Sequence, residues 1–235
     1  MKDCSVNLAN FDRTYLDPNT PCLVGVDEAG RGALAGPVVA AAAVLGAEFY
    51  DSEWVAAYGP RIDDSKNLKP AVRSQLKAMI DSLTTEGMIR VGVGIGSVEE
   101  IADHNILGAT RRAMARALEM ALSSADCPYV LPMQDSLFAI SDKPVARVLI
   151  DGLPLRGFPY VHEGVVKGDA QSLCIAMASI VAKVTRDALM VELAQAHSAY
   201  GFEVHKGYGT PTHREALRTH GPAACHRELF LRKIL

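Results

Sequence analysis

The length, composition and charge of the chain exclude several classes of protein. With 235 residues and 49% hydrophobic content it can bury a substantial core, which excludes a disordered protein. Its formal net charge of −3 is not that of a polybasic binder, although a cluster of acidic site residues would lower the total. The five cysteines lack CxxC pairs and regular spacing, which argues against a disulfide scaffold or a zinc site.

No targeting or membrane segment is evident in the sequence. The chain opens without a basic-then-apolar leader, and no apolar run reaches the roughly 18 residues that span a bilayer. We therefore expect a soluble, cytoplasmic protein. From Gly201 to Leu235, six Lys and Arg residues face three acids, so this tail could bind a polyanion, with an ordinary solvated helical surface as the alternative.

The most informative segment is an apolar run that stops on two acids. Cys22 to Val26 is followed by Asp27 and Glu28, and then by Gly30 to Gly32 with Arg31 at the centre. Neighbouring side chains on a strand point to opposite faces, so a regular strand would bury one carboxylate unpaired at several kcal/mol. We expect both acids at a strand end beside a cation, with the glycines letting backbone approach a ligand.

A dinucleotide-binding loop is an alternative interpretation of this segment. Gly30, Gly32 and Ala35 match the pattern G-x-G-x-x-A, which requires a helix to begin here. Pro37 and the apolar run to Leu45 oppose that helix and favour a buried strand. We therefore predict two strands joined by a functional turn.

Apolar periodicity predicts the remaining elements. It places strands at 88–95 and 145–150, and helices beginning at Pro70, capped at Ser97 with Glu100, and extending through 173–189. Glycine alternates over 92–96, which we attribute to close packing by another element. Two short C-terminal helices are expected, one from a Thr212–Glu215 capping box and one over about 223–234.

Carboxylates recur where these elements begin or end. Asp151 follows a strand, and Asp169 lies at the N-terminal cap region of a helix, where capping alone is the alternative role. Strand ends converge in the crevice of an open α/β sheet, so Asp27, Glu28, Asp151 and Asp169 could share a site. Hard oxygen ligands without a His or Cys cluster suit Mg²⁺ or Mn²⁺, and two such ions support in-line phosphoryl displacement.

These residues and their surroundings resemble the ribonuclease HII family, the type 2 ribonucleases H. The resemblance covers nearly the whole chain from Leu23 to Phe230. Gly30-Arg31-Gly32 has the form of bacterial members, whereas ribonuclease HIII has a Gly-Lys-Gly variant. Ala33, where proline is frequent, and Met177, where alanine is usual, depart from the pattern without removing a proposed ligand. The matching segments are 25–32, 34–40, 64–66, 150–152, 167–170, 178–187 and 205–210.

The resemblance implies an α/β ribonuclease H-like fold, with a mixed five-stranded sheet flanked by helices and a helical C-terminal part. We expect a single catalytic domain over residues 1–235, with a core at about 21–198 and a substrate-binding part at about 199–235. The resemblance also implies that the metal-binding catalytic carboxylates are Asp27, Glu28, Asp151 and Asp169, the four residues that the argument from the residues selects.

Substrate contacts are likewise implied by the resemblance. Gly30, Arg31 and Gly32 correspond to a loop that recognises the ribose 2′-hydroxyl largely through backbone groups, and Tyr208 to a tyrosine that contacts that hydroxyl and packs on the adjoining deoxyribose. Ser65 and Lys66 are expected to bind backbone phosphate, with solvated loop residues as the alternative.

Other matched residues are expected to act indirectly. Lys183 lies 14 positions beyond Asp169, about 21 Å at helical rise, so we expect no direct catalytic role for it. For His205, His213 and His226 we favour structural roles over substrate binding.

The implied activity is that of a Mg²⁺- or Mn²⁺-dependent endoribonuclease. It would cut the RNA strand of RNA–DNA hybrids and incise 5′ of single ribonucleotides in duplex DNA, leaving 3′-hydroxyl and 5′-phosphate ends. This places it in ribonucleotide excision repair and in primer removal during DNA replication. Two alternatives remain: a two-metal nuclease or strand-transfer enzyme without ribose selectivity, and a non-catalytic hybrid-binding module.

We expect a monomer that binds these nucleic acids and no membrane. The C-terminal segment 228–235 is apolar enough to dock on a sliding clamp, but folding onto the core is the favoured interpretation. The sequence contains no firm clamp-binding motif.

Overall fold

The protein is built around a mixed β-sheet. The computed structural model describes residues 8–62, 68–123, 126–131, 133–134 and 144–232. The strands lie in the order β3-β2-β1-β4-β5. Pairs β1–β2 and β2–β3 are antiparallel, and pairs β1–β4 and β4–β5 are parallel. The predicted mixed five-stranded sheet is confirmed, with strands β1 (Cys22–Ala29), β2 (Val38–Gly46), β3 (Arg90–Gly96), β4 (Arg147–Asp151) and β5 (Glu163–Val165).

Helices cover both faces of the sheet. Helices α1, α3 and α5 pack on one face, and α4 packs on the other. No helix within the described ranges is both long enough and apolar enough to cross a membrane. The helices are α1 (Leu8–Arg13), α2 (Glu53–Tyr58), α3 (Pro70–Thr85), α4 (Val98–Leu122), α5 (Leu173–Ala196), α6 (Phe202–His205), α7 (Pro211–His220) and α8 (Glu228–Leu231), with 3-10 turns at Ala47–Asp51, Gly59–Arg61, Gly168–Ala170 and Ser198–Tyr200.

The alternation of side chains along β1 decides which helix each residue meets. Leu23 belongs to the core under α5, whereas Val24 and Val26 belong to the core under α4. Gly25 faces α5, and a Cβ there would lie 2.1 Å from the backbone of Cys174. Glycine at this position therefore lets the start of α5 lie directly on β1.

The glycines of β3 have the packing role predicted from their alternation. A Cβ at Gly92 would lie 2.1 Å from the carbonyl oxygen of Ala117, and one at Gly94 would lie 1.9 Å from that of Ala113. Helix α4 therefore lies backbone to backbone on β3, which only residues without a side chain permit.

Several predicted boundaries are confirmed. Pro70 occupies the first turn of α3. Ser97 and Glu100 form the predicted reciprocal capping box at the start of α4, which ends at Leu122. Helix α4 is interrupted at Asn105, whose φ of 55° and ψ of 173° are not helical. The Asn105 side chain accepts hydrogen bonds from the next turn, at Leu107 and Gly108, so the second part of the helix has its own cap.

Strand β1 does not end at the acids as predicted. Its pairing with β2 continues through Asp27 and Glu28 to Ala29 opposite Val39, whereas its register with β4 ends at Val26. The predicted strand end is therefore wrong on the β2 side and right on the β4 side. Separation from β4 opens the sheet beside Asp27.

The cap predicted for α7 was wrong, and capping as the alternative role of Asp169 is not supported. Ser172, and not Asp169, caps α5, because its side chain accepts the N–H of Ile175. Thr210, and not Thr212, caps α7, because its side chain accepts the N–H of His213. In both places two candidate cap residues lie two to three positions apart, and local spacing alone does not separate them.

The C-terminal helices cover the turn between β1 and β2. Residues Leu34 and Ala35 of that turn pack in a cluster with Phe202, Leu217 and Leu231. Helix α8 is shorter than the predicted 223–234. Its Leu231 is buried, which confirms for the described part of the segment that it folds onto the core.

The dinucleotide-binding alternative is wrong. Residues 30–37 form turns that lead directly into β2, and no helix begins there. The buried apolar run after Pro37 is a strand, as its β-branched residues indicated.

Candidate active site

Three aspartates meet at one edge of the sheet. Strands β1 and β4 are parallel neighbours with Val26 opposite Ile150, so the next residues, Asp27 and Asp151, emerge side by side. Asp169 comes from the 3-10 turn between β5 and α5. One carboxylate oxygen from each aspartate lies within 4.8 Å of those of the other two. The structure thus brings together three of the four predicted acids from separate segments.

Asp27 is buried at the centre of this group, with 4% of its surface exposed. Burial raises its pKa well above the ordinary value, and the negative charges of Glu28 and Asp151 raise it further. The Ser179 hydroxyl and the backbone N–H of Glu28, at 2.7 Å, donate to Asp27 and offset part of this effect. An ionised Asp27 is therefore unfavourable unless a cation lies beside it.

Asp151 positions the turn that carries Asp169. Its Oδ1 accepts the N–H of Gly168 at 2.6 Å and that of Asp169 at 3.4 Å. A Cβ at Gly168 would lie 2.6 Å from the Ile175 side chain, so glycine lets the turn approach α5. These contacts hold the Asp169 backbone against the end of β4.

Glu28 lies beside the three-aspartate group but is not part of it. As the neighbour of Asp27 on β1, its side chain leaves the opposite face of the strand. Its Oε1 lies 3.4 Å from Nη1 of Arg31, and its side chain is mostly covered. Glu28 borders the same cavity as Asp27 and Asp151. It can therefore reach a ligand in the cavity from a different side.

A cavity of about 540 Å³ opens beside the aspartates. It joins the acids to the predicted recognition loop and to Tyr208, so residues from both halves of the chain share one site. The predicted phosphate contacts Ser65 and Lys66 lie outside the described residues. The cavity is bordered by Asp27, Glu28, Ala29, Gly30, Arg31, Gly32, Arg73, Asp151, Ser179, Lys183 and Tyr208.

Four of these residues were not predicted as part of the site, namely Ala29, Arg73, Ser179 and Lys183. Lys183 borders the same cavity as Asp27 and Asp151, which its separation from Asp169 in the sequence did not suggest. Asp169 lies in a separate turn, so helical rise does not measure that distance, and α5 instead meets Asp27 at Ser179. The spacing of four between Ser179 and Lys183 places both on one face of α5 and was the signal available in the sequence.

The Gly30–Gly32 loop is supported from below by α5. Gly30 has a φ of 92°, which favours glycine. A Cβ there would lie 1.8 Å from Nε of Arg186, whose side chain is fully buried. At Gly32 a Cβ would meet no described atom within 4 Å. The loop is therefore tightly packed at its first glycine and open at its second.

Tyr208 is held from behind. Nδ1 of His213 lies 3.0 Å from the Tyr208 carbonyl oxygen, and Nε2 of His213 lies 3.1 Å from Nε2 of His226. Lys183 and Arg186 lie 5.7 Å and 5.3 Å from the centre of the Tyr208 ring. These contacts support structural roles for both histidines and fix the tyrosine at the cavity wall.

Comparisons with known proteins identify the family of the chain. The family model described as Ribonuclease HII matches residues 24–233. A ribonuclease HII of Fusobacterium nucleatum is 44% identical over 215 residues, which cover 91% of this chain and 87% of the relative. One from Geobacillus kaustophilus is 40% identical over 223 residues, which cover 95% of this chain and 73% of the relative.

Solved structures support the fold. The ribonuclease H2 of Pyrococcus horikoshii OT3 aligns with a TM-score of 0.62 at 23% identity, over 91% of this chain and 96% of that one. Bst-RNase HIII in complex with Mn²⁺ aligns with a TM-score of 0.61 at 17% identity, over 97% of this chain and 68% of that one. Because the family model matches most of the chain, the chain belongs to the ribonuclease HII family and is a ribonuclease H-type hydrolase.

Proposed function

We propose that this enzyme incises the RNA strand of RNA–DNA hybrids and the 5′ side of single ribonucleotides in duplex DNA, using two divalent metal ions. The observation that carries the proposal is the shared cavity. There, Asp27 and Asp151 of the three-aspartate group line the wall together with a glycine-rich loop and a tyrosine from the C-terminal part. A phosphodiester and its ribose could occupy these two halves of the cavity together.

The donor set fits Mg²⁺ or Mn²⁺. Asp27, Asp151 and Asp169 supply only carboxylate oxygens within 4.8 Å of one another, and oxygen ligands are those that both cations prefer. These three residues would hold the metal, with Glu28 as the fourth ligand from the other face of β1. When bound, such ions activate a water molecule and stabilise the leaving oxygen. The Mn²⁺ complex of the structural neighbour Bst-RNase HIII supports this assignment.

The loop and Tyr208 would select ribose. Backbone N–H groups at Gly30, Arg31 and Gly32 can donate to sugar or phosphate oxygens, and the 2′-hydroxyl is the group that distinguishes RNA from DNA. The Tyr208 ring offers a flat surface for the adjoining deoxyribose. Incision beside this ribose would leave 3′-hydroxyl and 5′-phosphate ends. Ser65 and Lys66 are proposed to bind backbone phosphate and so to position the duplex.

This activity assigns the protein to ribonucleotide excision repair and primer removal in the cytoplasm. We propose that the chain acts as a monomeric single domain, in which residues from about 199 onward bind substrate. A ribonuclease HII of Archaeoglobus fulgidus has been solved in complex with PCNA, with a TM-score of 0.60 at 22% identity, over 87% of this chain and 91% of that one. In this chain Leu231 is buried, which disfavours the described part of segment 228–235 as a clamp ligand.

The direct test is cleavage of a labelled DNA duplex that contains one ribonucleotide, beside an all-DNA duplex of the same sequence. Each is incubated with Mg²⁺, with Mn²⁺ and with a chelator. We expect metal-dependent incision 5′ of the ribonucleotide and an intact all-DNA duplex. Cleavage of both duplexes would contradict ribose selectivity and favour a general two-metal nuclease. Binding of the substrate without cleavage in either metal would favour the hybrid-binding module.

A further inference from the structure

A buried arginine from the C-terminal part lies beneath the recognition loop. Arg227 has 1% of its surface exposed. Its guanidinium is surrounded by backbone carbonyl oxygens of the turn between β1 and β2. The five oxygens within hydrogen-bond distance belong to Gly30 at 2.8 Å, Arg31 at 3.1 Å, Ala33 at 2.9 Å, Gly36 at 2.8 Å and Pro37 at 3.0 Å.

These bonds determine which way the loop amides point. A trans peptide unit is planar, and its C=O and N–H point in opposite directions. Because Arg227 binds the carbonyls of Gly30 and Arg31, the N–H groups of Arg31 and Gly32 point away from it. Both residues are exposed and border the cavity, and their N–H groups donate to no other described residue. They are therefore available to an acceptor in the cavity.

The backbone around Arg227 ties the same loop to the C-terminal part. The N–H of Arg227 donates to the carbonyl of Leu34 at 2.8 Å, and the N–H of Gly36 donates to that of Cys225 at 2.8 Å. The N–H of Leu34 donates to Gly207, next to Tyr208, at 2.8 Å. The loop and the tyrosine are thus parts of one hydrogen-bonded unit.

Arg227 carries its charge without a carboxylate. No acidic side chain in the described part of the chain pairs with it, so the carbonyl dipoles are its compensation. Burial, followed by the nearby charge of Arg186, lowers the pKa of Arg227 to about 9, which leaves it protonated at neutral pH. A lysine has a single point charge on a flexible stem and cannot form all of these hydrogen bonds to carbonyl oxygens.

We infer that Arg227 is a positioning residue that presents the N–H groups of Arg31 and Gly32 to the sugar-phosphate of the substrate. The inference rests on the proposed function of the loop. It makes the C-terminal part a determinant of turnover as well as of binding, although Arg227 itself does not border the cavity.

Hydrogen exchange on the free protein tests the structural half of the inference. We expect Arg227→Met to speed exchange at the amides of Ala33, Leu34 and Gly36 by about tenfold or more, because loosening of the loop exposes their bonds. The amides of β1 serve as the internal reference. Unchanged exchange in the loop would overturn the inference whether or not the enzyme cleaves the proposed substrate.

Kinetics test the functional half. The assay is run well below the melting temperature of the variant. We expect Arg227→Met to lower kcat on the single-ribonucleotide duplex by about 10-fold to 100-fold. Its affinity for Mn²⁺, measured by calorimetry, should match that of the wild type. The kcat of Arg227→Lys should lie between those of the wild type and Arg227→Met. Arg227→Lys is also the variant to use if Arg227→Met does not fold.

The matched control is Tyr200→Phe, which removes the hydrogen bond from Tyr200 to the Gly221 carbonyl within the same C-terminal part. It should lower the melting temperature while leaving kcat within about twofold. If Tyr200→Phe lost as much kcat as Arg227→Met, or if Arg227→Met kept full kcat with a loosened loop, the positioning role would be overturned. Failure of the wild type to incise would instead contradict the proposed function.

Discussion

The acid cluster and the arginine-held loop face each other across one cavity but are built in opposite ways. Asp27, Asp151 and Asp169 place negative charges together, and burial makes the central one costly to ionise. Arg227 is also buried and charged, but carbonyl oxygens surround it. A bound cation would therefore lower the cost of ionising Asp27 in the first region, whereas carbonyl oxygens already compensate the charge of Arg227 in the second.

This difference suits the acid cluster to binding metal and the loop to presenting its amides to the substrate. Because a cation would stabilise the acid cluster, the cluster favours the binding of a metal ion. A loop whose Gly30, Arg31 and Ala33 carbonyls are held by Arg227 presents the amides of Arg31 and Gly32 in a fixed direction and loses little entropy on meeting a substrate. Changes to the acids should therefore affect metal binding and chemistry, and changes to the loop should affect substrate placement.

The largest effect expected is on the acid side. Asp27→Asn and Asp151→Asn should each lower incision by about 1,000-fold or more, because each removes a charged oxygen from the proposed metal site. Asp81→Asn, an exposed substitution on α3, is the matched control and should leave activity unchanged. Full metal-dependent cleavage by Asp27→Asn, measured in single-turnover assays, would refute the carboxylate assignment.

The loop side offers a matched pair of glycines. Gly30→Ala should destabilise the protein by about 3–5 kcal/mol, because it places a Cβ at positive φ against Arg186. Gly32→Ala should fold normally, since no described atom approaches that position, but should weaken incision by crowding the substrate. Urea unfolding and incision rates separate the two effects. Equal stability losses in the two variants would contradict the packing described here.

The histidine pair behind Tyr208 should make stability depend on pH. Burial lowers the pKa of His213, and it lowers that of His226 to about 4. Below about pH 6.5 this histidine takes up a proton in the unfolded chain, while the native His226 stays neutral. The contribution of His226 to the free energy of unfolding is therefore fully present above that pH. The free energy of unfolding falls by up to about 3 kcal/mol as the pH drops toward 4.

Urea unfolding at several pH values, in wild type and His226→Gln, measures this contribution. The raised pKa of Asp27 gives a pH slope of opposite sign, so the difference between the two proteins isolates His226. His104→Gln, an exposed substitution, should behave as the wild type. An identical pH dependence in His226→Gln and wild type would rule out this histidine as its source.

The smallest effect expected is on thermal stability. Mn²⁺ at about ten times its dissociation constant should raise the melting temperature by about 3–6 °C, because it binds only the folded cluster. Addition of a chelator should reverse the shift, and Asp27→Asn should lose it. A shift of the same size in Asp27→Asn would place the stabilising ion elsewhere.

Much of the fold followed from local patterns. The alternation of Gly92, Gly94 and Gly96 predicted close packing, and Ser97 with Glu100 predicted the start of α4. These features depend on residues a few positions apart, so a single sequence carries them. Cap positions of α5 and α7 were less predictable, because Ser172 and Thr210 compete locally with Asp169 and Thr212.

The sequence by itself determined β1 to β4 and the grouping of Asp27, Asp151 and Asp169, because strand ends and turn residues follow from local patterns, whereas β5 and the recognition loop were expected only from the resemblance. Only the tertiary structure decided that Lys183 borders the cavity and that Arg227, from the far end of the chain, holds the loop. The physical reason is that a buried guanidinium finds its carbonyl partners through the packing of distant segments. No periodicity or spacing in the sequence encodes that contact.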